Sequence, residues 1–179
     1  MSTPASRQMQ GWDRRKSGLG IAVAKLMVAI QTELYRRLAD AGFRDVTHLH
    51  GVVIAHLDPE GTRATELARR SGRHKQVIGR LVDELEALGY VERRPESVDR
   101  RGKLIVPTER GLELMVLSDE IVADIERGQA RQLGRDVWDS FRTTLIRVVD
   151  SLNADRGSGA MPDDGDGSSP SSFATPSTR

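Results

Sequence analysis

The chain is 179 residues long and carries a net charge of +1. This length predicts a single domain with tails, and the near-neutral charge argues against a uniformly basic nucleic-acid coat. No cysteine is present, which excludes disulfides, thiolate zinc sites and thiol-based redox sensing. The polar N-terminus and the short apolar runs indicate neither a signal peptide nor a membrane anchor, so we predict a cytoplasmic protein.

A long amphipathic helix is predicted near the N-terminus. Residues 1–12 are expected to be flexible, and apolar residues then recur at three- and four-residue spacing from Asp13 to Leu38. A turn completes the segment 13–46. Thr47 is then suited to cap a second helix, which should end at the "DPEG" turn that follows Leu57.

Two short helices are predicted next. Thr65 stands where an N-cap of the third helix is expected, and Ser71 and Gly72 should end that helix. A fourth helix follows after a couple of residues and should end at Gly89. Its apolar stripe consists of Ile78, Leu81, Val82, Leu85 and Leu88. Two helices joined by a tight glycine-containing turn indicate a helix-turn-helix.

A hairpin should follow the helix pair. The runs "YVERR" (90–94) and "KLIV" (103–106) contain β-branched and aromatic residues and read as two strands. They flank the charged loop "PESVDRRG". A helix-turn-helix followed by a two-stranded wing predicts a winged helix, in which the second helix of the pair enters the major groove of DNA and the wing contacts phosphates or the minor groove.

Two more helices are predicted after the hairpin. Thr108 can cap a fifth helix that continues past Ile125, and a sixth helix should begin after Gly128 and carry Val137, Trp138 and Phe141. Residues 154–179 are dominated by Gly, Ser, Pro and Asp. They have too little apolar surface to offset the entropy of ordering, so we predict a disordered tail.

The chain resembles the MarR family of multiple-antibiotic-resistance-type regulators. The resemblance lies in "GTRATELARRSG", "KQVIGRLVDELEALGYVERR", "DRR" and "TERG", in this order and at family-like spacing. It implies a mainly α protein with a DNA-binding lobe at 47–111. The helices in 13–46 and 112–153 would form a homodimer. This homodimer would bind an inverted-repeat (palindromic) operator and repress, or less often activate, nearby transcription. A small aromatic or phenolic effector would bind between helices one, two and five and the lobe.

The resemblance also implies DNA-binding residues. Asp99 would brace the wing, Arg101 would enter the minor groove, and Arg100 would contact the backbone. The full predicted set is Thr65, Arg73, His74, Lys75, Gln76, Arg80, Asp99, Arg100, Arg101 and Lys103. Family members often carry a Ser or Thr cap where this chain has His74. The sequence therefore does not determine at which residue the recognition helix begins.

Several of these residues also have a plainer interpretation. Lys75, Gln76 and Arg80 could form a solvated helix face, and Arg80 could pair with Glu84 four residues later. Gly79 lowers helix propensity by about 1 kcal/mol. It could allow either close packing against the third helix or close approach to DNA.

No catalytic or metal site is predicted. His48 and His50 are two apart on one helix and should not face the same ligand, and His56 has no thiolate partner to join. No phosphate-binding glycine loop or nucleophile–base–acid set is present, so we predict neither enzyme activity nor a cofactor. The alternatives to a DNA-binding regulator are a winged-helix module for protein contacts and, less favoured, a helical enzyme.

Overall fold

The computed structural model describes residues 18–95 and 103–157. As predicted, the fold is mainly α-helical with a small antiparallel sheet. Its elements in chain order are α1 (Leu19–Asp40), α2 (His48–Ile54), β1 (Thr62–Arg63), α3 (Ala64–Ser71), α4 (Lys75–Ala87), β2 (Val91–Pro95), β3 (Lys103–Pro107), α5 (Glu109–Leu133) and α6 (Arg135–Gly157). The chain divides into two compact units, one up to Gln129 and one from Ala130. None of the helices in the described ranges has the length and apolar character that crossing a membrane requires.

The first unit is built around one hydrophobic core. Its buried members include Leu38, Val53, Leu67, Ile78, Leu81, Val82, Leu85, Val91, Ile105, Leu114 and Ile121. The four residues from α4 in this set belong to the apolar stripe predicted from the sequence, and their three- and four-residue spacing places them on one side of the helix. The core therefore holds one side of α4 and leaves the other to solvent.

The predicted hairpin is present and gains a third strand. β2 and β3 pair antiparallel from Val91 opposite Pro107 to Pro95 opposite Lys103. The two-residue strand β1 pairs with the other side of β3, so the order in the sheet is β1–β3–β2. Because β1 leads directly into α3, this pairing ties the helix-turn-helix to the wing.

The third predicted helix begins earlier than expected. We predicted Thr65 as its N-cap, but the N-cap is Arg63, whose backbone is extended (φ −70°, ψ 145°), and α3 begins at Ala64. Thr65 lies in the first turn instead. The cause is tertiary, because the pairing of β1 with β3 keeps the chain extended only as far as Arg63. The predicted end at Ser71 and Gly72 is correct, and Gly72 has a left-handed backbone (φ 63°).

The predicted boundary between the last two helices is wrong. Gly128 lies inside α5, which continues to Leu133, and the break falls at Gly134, where φ is +91°. A glycine inside a helix costs only about 1 kcal/mol and does not have to end it. A φ of this sign is what requires glycine. Helix α6 runs to Gly157, past the predicted limit at Asn153, and the remaining tail, 158–179, lies outside the described residues.

Tyr90 joins the end of α4 to the start of α5. Its ring is fully buried, and its hydroxyl donates to Asp45 Oδ1 at 2.5 Å. The guanidinium of Arg110 lies 4.5 Å from the ring centroid and bonds the same carboxylate at 3.1 Å. Thr108 caps α5 as predicted, since its Oγ1 accepts from the Gly111 N–H at 3.1 Å. These contacts fix the wing relative to α4 and α5.

Candidate nucleic-acid interface

The turn between α3 and α4 presents a run of polar side chains to solvent. Gly72 adopts the left-handed conformation, and the Arg73 N–H returns to the Ala68 carbonyl at 3.1 Å, which closes α3. His74 is the extended N-cap of α4, and the helix begins at Lys75. The turn is therefore short and well defined. It brings four of the predicted DNA-binding residues together in exposed positions: Arg73, His74, Lys75 and Gln76.

The cations of this turn differ from those of the preceding helix. Arg69 and Arg70 both bond Glu66 Oε1, at 2.6 and 2.7 Å, and Arg70 also bonds Asp58 at 2.9 Å. Hydrogen bonds from Arg69 and then Arg70 lower the pKa of Glu66 to about 2, so this carboxylate stays charged. Arg73 and Lys75 form no ion pair with any residue in the described ranges. Both cations are therefore available to a partner.

Arg80 lies further along α4 and is paired within the helix. Its Nη1 bonds Glu84 Oε1 at 2.6 Å, which is the i,i+4 pair that the sequence left open. The side chain is nevertheless 59% exposed. Because Gln76 and Arg80 are four residues apart, both lie on the same side of α4.

Gly79 does not pack closely against α3. A Cβ built at this position meets no atom within 4 Å. Of the two interpretations drawn from the sequence, the structure excludes close packing within the described residues. Close approach to DNA stays a prediction.

The wing is described at its base and not at its tip. Lys103 is exposed at the first position of β3, opposite Pro95. The predicted tip residues Asp99, Arg100 and Arg101 lie outside the described residues. At the base, Arg93 bonds Asp83 at 2.5 Å and also pairs with Glu86, so β2 is tied to the acidic side of α4. Thr65, the remaining predicted contact, is exposed in the first turn of α3.

A cleft of about 460 Å³ opens in the first unit. Its apolar walls come from α1, α2 and α5 and include Met27, Ile30, Leu34, Val52, Met115 and Val122. Its polar lining includes Tyr35, His48, His56, Arg73 and Asp119. Burial raises the pKa of the Tyr35 hydroxyl, which keeps it protonated. Arg73 thus borders both the cleft and the start of α4.

The histidines on and after α2, His48, His50 and His56, do not share one site. His48 and His56 line the cleft, whereas His50 is buried on the other side of α2. His50 completes a capping box, because its Nδ1 accepts from the Thr47 N–H at 3.2 Å. No group of three or more potential metal ligands occurs among the described residues. Sequence patterns did not identify the role of His50, because its partner Glu84 is 34 residues away.

Comparisons with known proteins agree with this architecture. A sequence model of the MarR family matches residues 44–102. The crystal structure of the transcriptional regulator PA3341 is 27% identical, with a TM-score of 0.61 over 75% of this chain and 98% of its own. CouR from Rhodococcus jostii RHA1, bound to p-coumaroyl-CoA, is 24% identical, with a TM-score of 0.60 over 74% of this chain and 92% of its own. The transcriptional repressor CouR bound to a 23-mer DNA duplex is 22% identical, with a TM-score of 0.60 over 76% of this chain and 95% of its own.

These matches confirm the resemblance to the MarR family and the winged-helix fold. No curated protein matches the chain in sequence at a significant level. The family model and the similar structures belong to transcriptional regulators, which agrees with the prediction that the chain is not an enzyme.

Proposed function

We propose that this chain, whose winged-helix lobe belongs to the MarR family, is a sequence-specific DNA-binding transcriptional regulator. In the form we propose, a homodimer binds an inverted-repeat operator, represses transcription and is released by a small effector. The DNA-bound repressor CouR, which has a similar fold, is consistent with this use of the lobe.

The observation that carries the proposal is the polar run at the start of α4. Arg73 and Lys75 are exposed cations without an ion pair in the described part of the chain, and Gln76 follows them on an exposed side of the helix. Lys can bind phosphate or guanine, and Gln can pair bidentately with adenine in the major groove. A helix held by its apolar side, with such residues at its start, is suited to enter that groove.

Exposed apolar residues support the homodimer. In the first unit, α1 exposes Leu19, Val23, Met27 and Val28. In the second unit, α6 exposes Val137, Phe141, Ile146, Val148, Val149 and Leu152. Apolar surface of this extent on helices indicates association, and a two-fold dimer would present two recognition helices to two half-sites.

The cleft is the proposed effector site. Its volume and its largely apolar lining suit a small aromatic compound, while its polar groups could orient one. CouR, which binds p-coumaroyl-CoA and has a similar fold, is consistent with an effector in this class of structure. Because Arg73 borders the cleft and precedes α4, a bound effector would act close to the DNA-contacting residues.

Selection of DNA from a random pool by the full-length protein tests the proposal. We expect recovery of one inverted repeat whose half-sites lie about one helical turn apart. A matched variant, Lys75→Ala with Gln76→Ala, should fold normally and recover no repeat. Failure of the parent protein to enrich any sequence would favour the alternative of a protein-contact module.

A further inference from the structure

A chain of hydrogen bonds runs from the buried side of α2 to the exposed side of the recognition helix α4. His50 Nε2 lies 3.2 Å from Glu84 Oε2, and Glu84 Oε1 accepts from Arg80 Nη1 at 2.6 Å. His50 is only 7% exposed, Glu84 is 40% exposed and Arg80 is 59% exposed. The chain therefore begins in the protein interior and ends at a side chain open to a partner.

The hydrogen bonds define the state of His50. Its Nδ1 accepts from the Thr47 backbone N–H at 3.2 Å, so that nitrogen carries no proton. In a neutral imidazole the proton is then on Nε2, which donates it to Glu84. Both ring nitrogens are engaged, and the ring cannot rotate without losing one bond. Glu84 is thus held by an anchored donor.

This anchoring distinguishes Arg80 from ordinary surface arginines. Arg36 also pairs with carboxylates on its own helix, but Asp40 is 70% exposed, and the second group on Glu33 is Arg37, whose side chain is itself 33% exposed. An exposed pair of that kind is loosely held and contributes little. Glu84, in contrast, is fixed by His50 on its second oxygen. Arg80 is therefore directed by a carboxylate whose own position is set by the core.

Arg80 keeps donors for a partner. A guanidinium carries five N–H groups, and the bond to Glu84 engages Nη1. Gln76, Arg80 and Glu84 are spaced at four-residue intervals and form one row along α4, with the start of the helix at the Gln76 end. A guanine edge offers two acceptors, N7 and O6, to an arginine positioned in the major groove.

We propose that Arg80 contacts a base in the operator and that Glu84 and His50 are the positioning residues that direct it. The proposal rests on the proposed function, since it assigns a role within the same DNA-binding surface. Neither Glu84 nor His50 has to touch DNA. They already restrict the Arg80 side chain in the free protein and favour one orientation of it. Arg80 therefore loses less conformational entropy when it binds DNA.

The position of His50 links this row to the cleft. Residues on one side of α2, such as His48 and Gly51, line the cleft, and His50 on another side bonds α4. A ligand that shifts α2 would therefore shift the carboxylate that directs Arg80. DNA binding and cleft occupancy would be coupled through this one helix.

Binding measurements on the duplex recovered by the parent protein, and on its single-base variants, test the proposal. Arg80→Ala should reduce preference at one base pair in each half-site by on the order of tenfold. Glu84→Gln should reduce the same preference by several-fold and should add nothing in the Arg80→Ala background. Asp83→Asn is the matched control: it removes one negative charge from the same helix at a residue that pairs with Arg93.

Two variants of His50 separate positioning from folding. In His50→Asn, the side-chain amide lies where Nδ1 of the histidine was. Its oxygen can accept from the Thr47 N–H, but the side chain is too short to reach Glu84. This variant should therefore keep the helix cap and lose the base preference. The amide of Gln overlays Nε2, so His50→Gln should recover the preference. Thermal melting of each variant verifies that it is folded.

The outcomes are decisive in both directions. If Glu84→Gln keeps the full base preference, or reduces it equally with and without Arg80, the positioning role is wrong. Glu84→Gln could instead raise the affinity for all duplexes, and to the same extent as Asp83→Asn. Such a result would reflect only the lost negative charge and would also overturn the positioning role. Failure of the parent protein to bind any duplex specifically would instead remove the proposed function.

Discussion

Arginine side chains occur in two regions next to α4, and their surroundings differ between the two. In the turn that precedes the helix, Arg73 is exposed and has no ion pair with the described residues. At the base of the wing, Arg93 bonds two carboxylates of α4, and Arg110 bonds Asp45 and lies over the ring of Tyr90. The same side chain is left available in one region and used for internal structure in the other.

The comparison teaches that the density of basic residues is a poor guide to a DNA-binding surface. Residues 60–111 are rich in cations, but Arg70 and Arg93 are only about a third exposed and each bonds two carboxylates, and Arg110 bonds Asp45. Availability is decided by exposure together with the acids that the fold places nearby, since the exposed Arg80 keeps free donors although it pairs with Glu84. Changes at the base of the wing should therefore affect stability, and changes in the turn should affect DNA binding.

The largest effect is expected at Gly111, where the wing base meets α5. A Cβ at this position would overlap the backbone carbonyl oxygen of Tyr90, and backbone cannot move aside as a flexible side chain can. Gly111→Ala should lower the free energy of unfolding by roughly 3 kcal/mol, in the range for overpacking. Urea denaturation measures this. Gly20→Ala is the control, because a Cβ there meets no atom within 4 Å. An equal loss of unfolding free energy in both variants would show that the contact with Tyr90 is not the cause.

A second test compares one residue from each region. Gln76→Ala should relax preference at one base pair per half-site by roughly 1 to 3 kcal/mol. It should leave the free energy of unfolding almost unchanged. Arg93→Ala, from the wing base, should do the reverse and lower the free energy of unfolding by about 1 kcal/mol. Binding titrations on single-base variants of the operator measure the base preference, and melting curves measure stability. If both protein variants changed both properties alike, the proposed difference between the turn and the wing base would be wrong.

Alkaline pH offers a third test of the wing base. Burial, followed by the hydrogen bond to Asp45 and its charge, raises the pKa of Tyr90 to about 12 from its ordinary 10.0. A raised pKa means that the native state favours the protonated phenol. The stability it contributes is complete below pH 10 and is lost as pH rises towards 12.

The parent protein should accordingly lose on the order of 2 kcal/mol more stability over this interval than Tyr90→Phe does. Denaturation at several pH values measures the difference. Tyr35 is present in both proteins, so its own raised pKa cancels. Parallel pH profiles for the two proteins would show that the hydroxyl of Tyr90 ionises without cost to the fold.

The smallest expected effect is at Gly79, on the recognition helix itself. Gly79→Ala should raise the free energy of unfolding by up to about 1 kcal/mol, because helix propensity improves and no atom lies in the way of the new Cβ. If the helix approaches DNA closely at this position, the same variant should bind the operator more weakly. Gain of stability with unchanged binding would place Gly79 away from the DNA.

Local signals in the sequence were sufficient for the helix pair and the hairpin. The left-handed Gly72, the cap at Thr108 and the apolar stripe of α4 each act within a few residues, so they can be recognised in a single sequence. The start of α3 could not be predicted in this way. It depends on β1 pairing with β3, which lies about forty residues further along the chain.

The parts of the candidate site that were missed depend on contacts distant in sequence. The bond between His50 and Glu84 joins two helices, and nothing in the spacing of either helix indicates it. Gly128 and Gly134 both interrupt the same helical pattern, and the pattern alone does not show that Gly134 is the one with a positive φ. The cleft is formed by three helices and was anticipated only through the family resemblance.

The short strand β1 has a consequence for how quickly backbone amides of the wing exchange with solvent deuterium. Leu104 and Ile105 lie between two strands, opposite Arg63 and Thr62 on one side and Arg94 and Arg93 on the other. Lys103 is opposite Pro95 only. We therefore expect slow exchange at the centre of β3 and faster exchange towards Lys103, because separating the hairpin at that end leaves the β1 pairing intact. The wing would open from its outer end while its inner end stays attached to the helix pair.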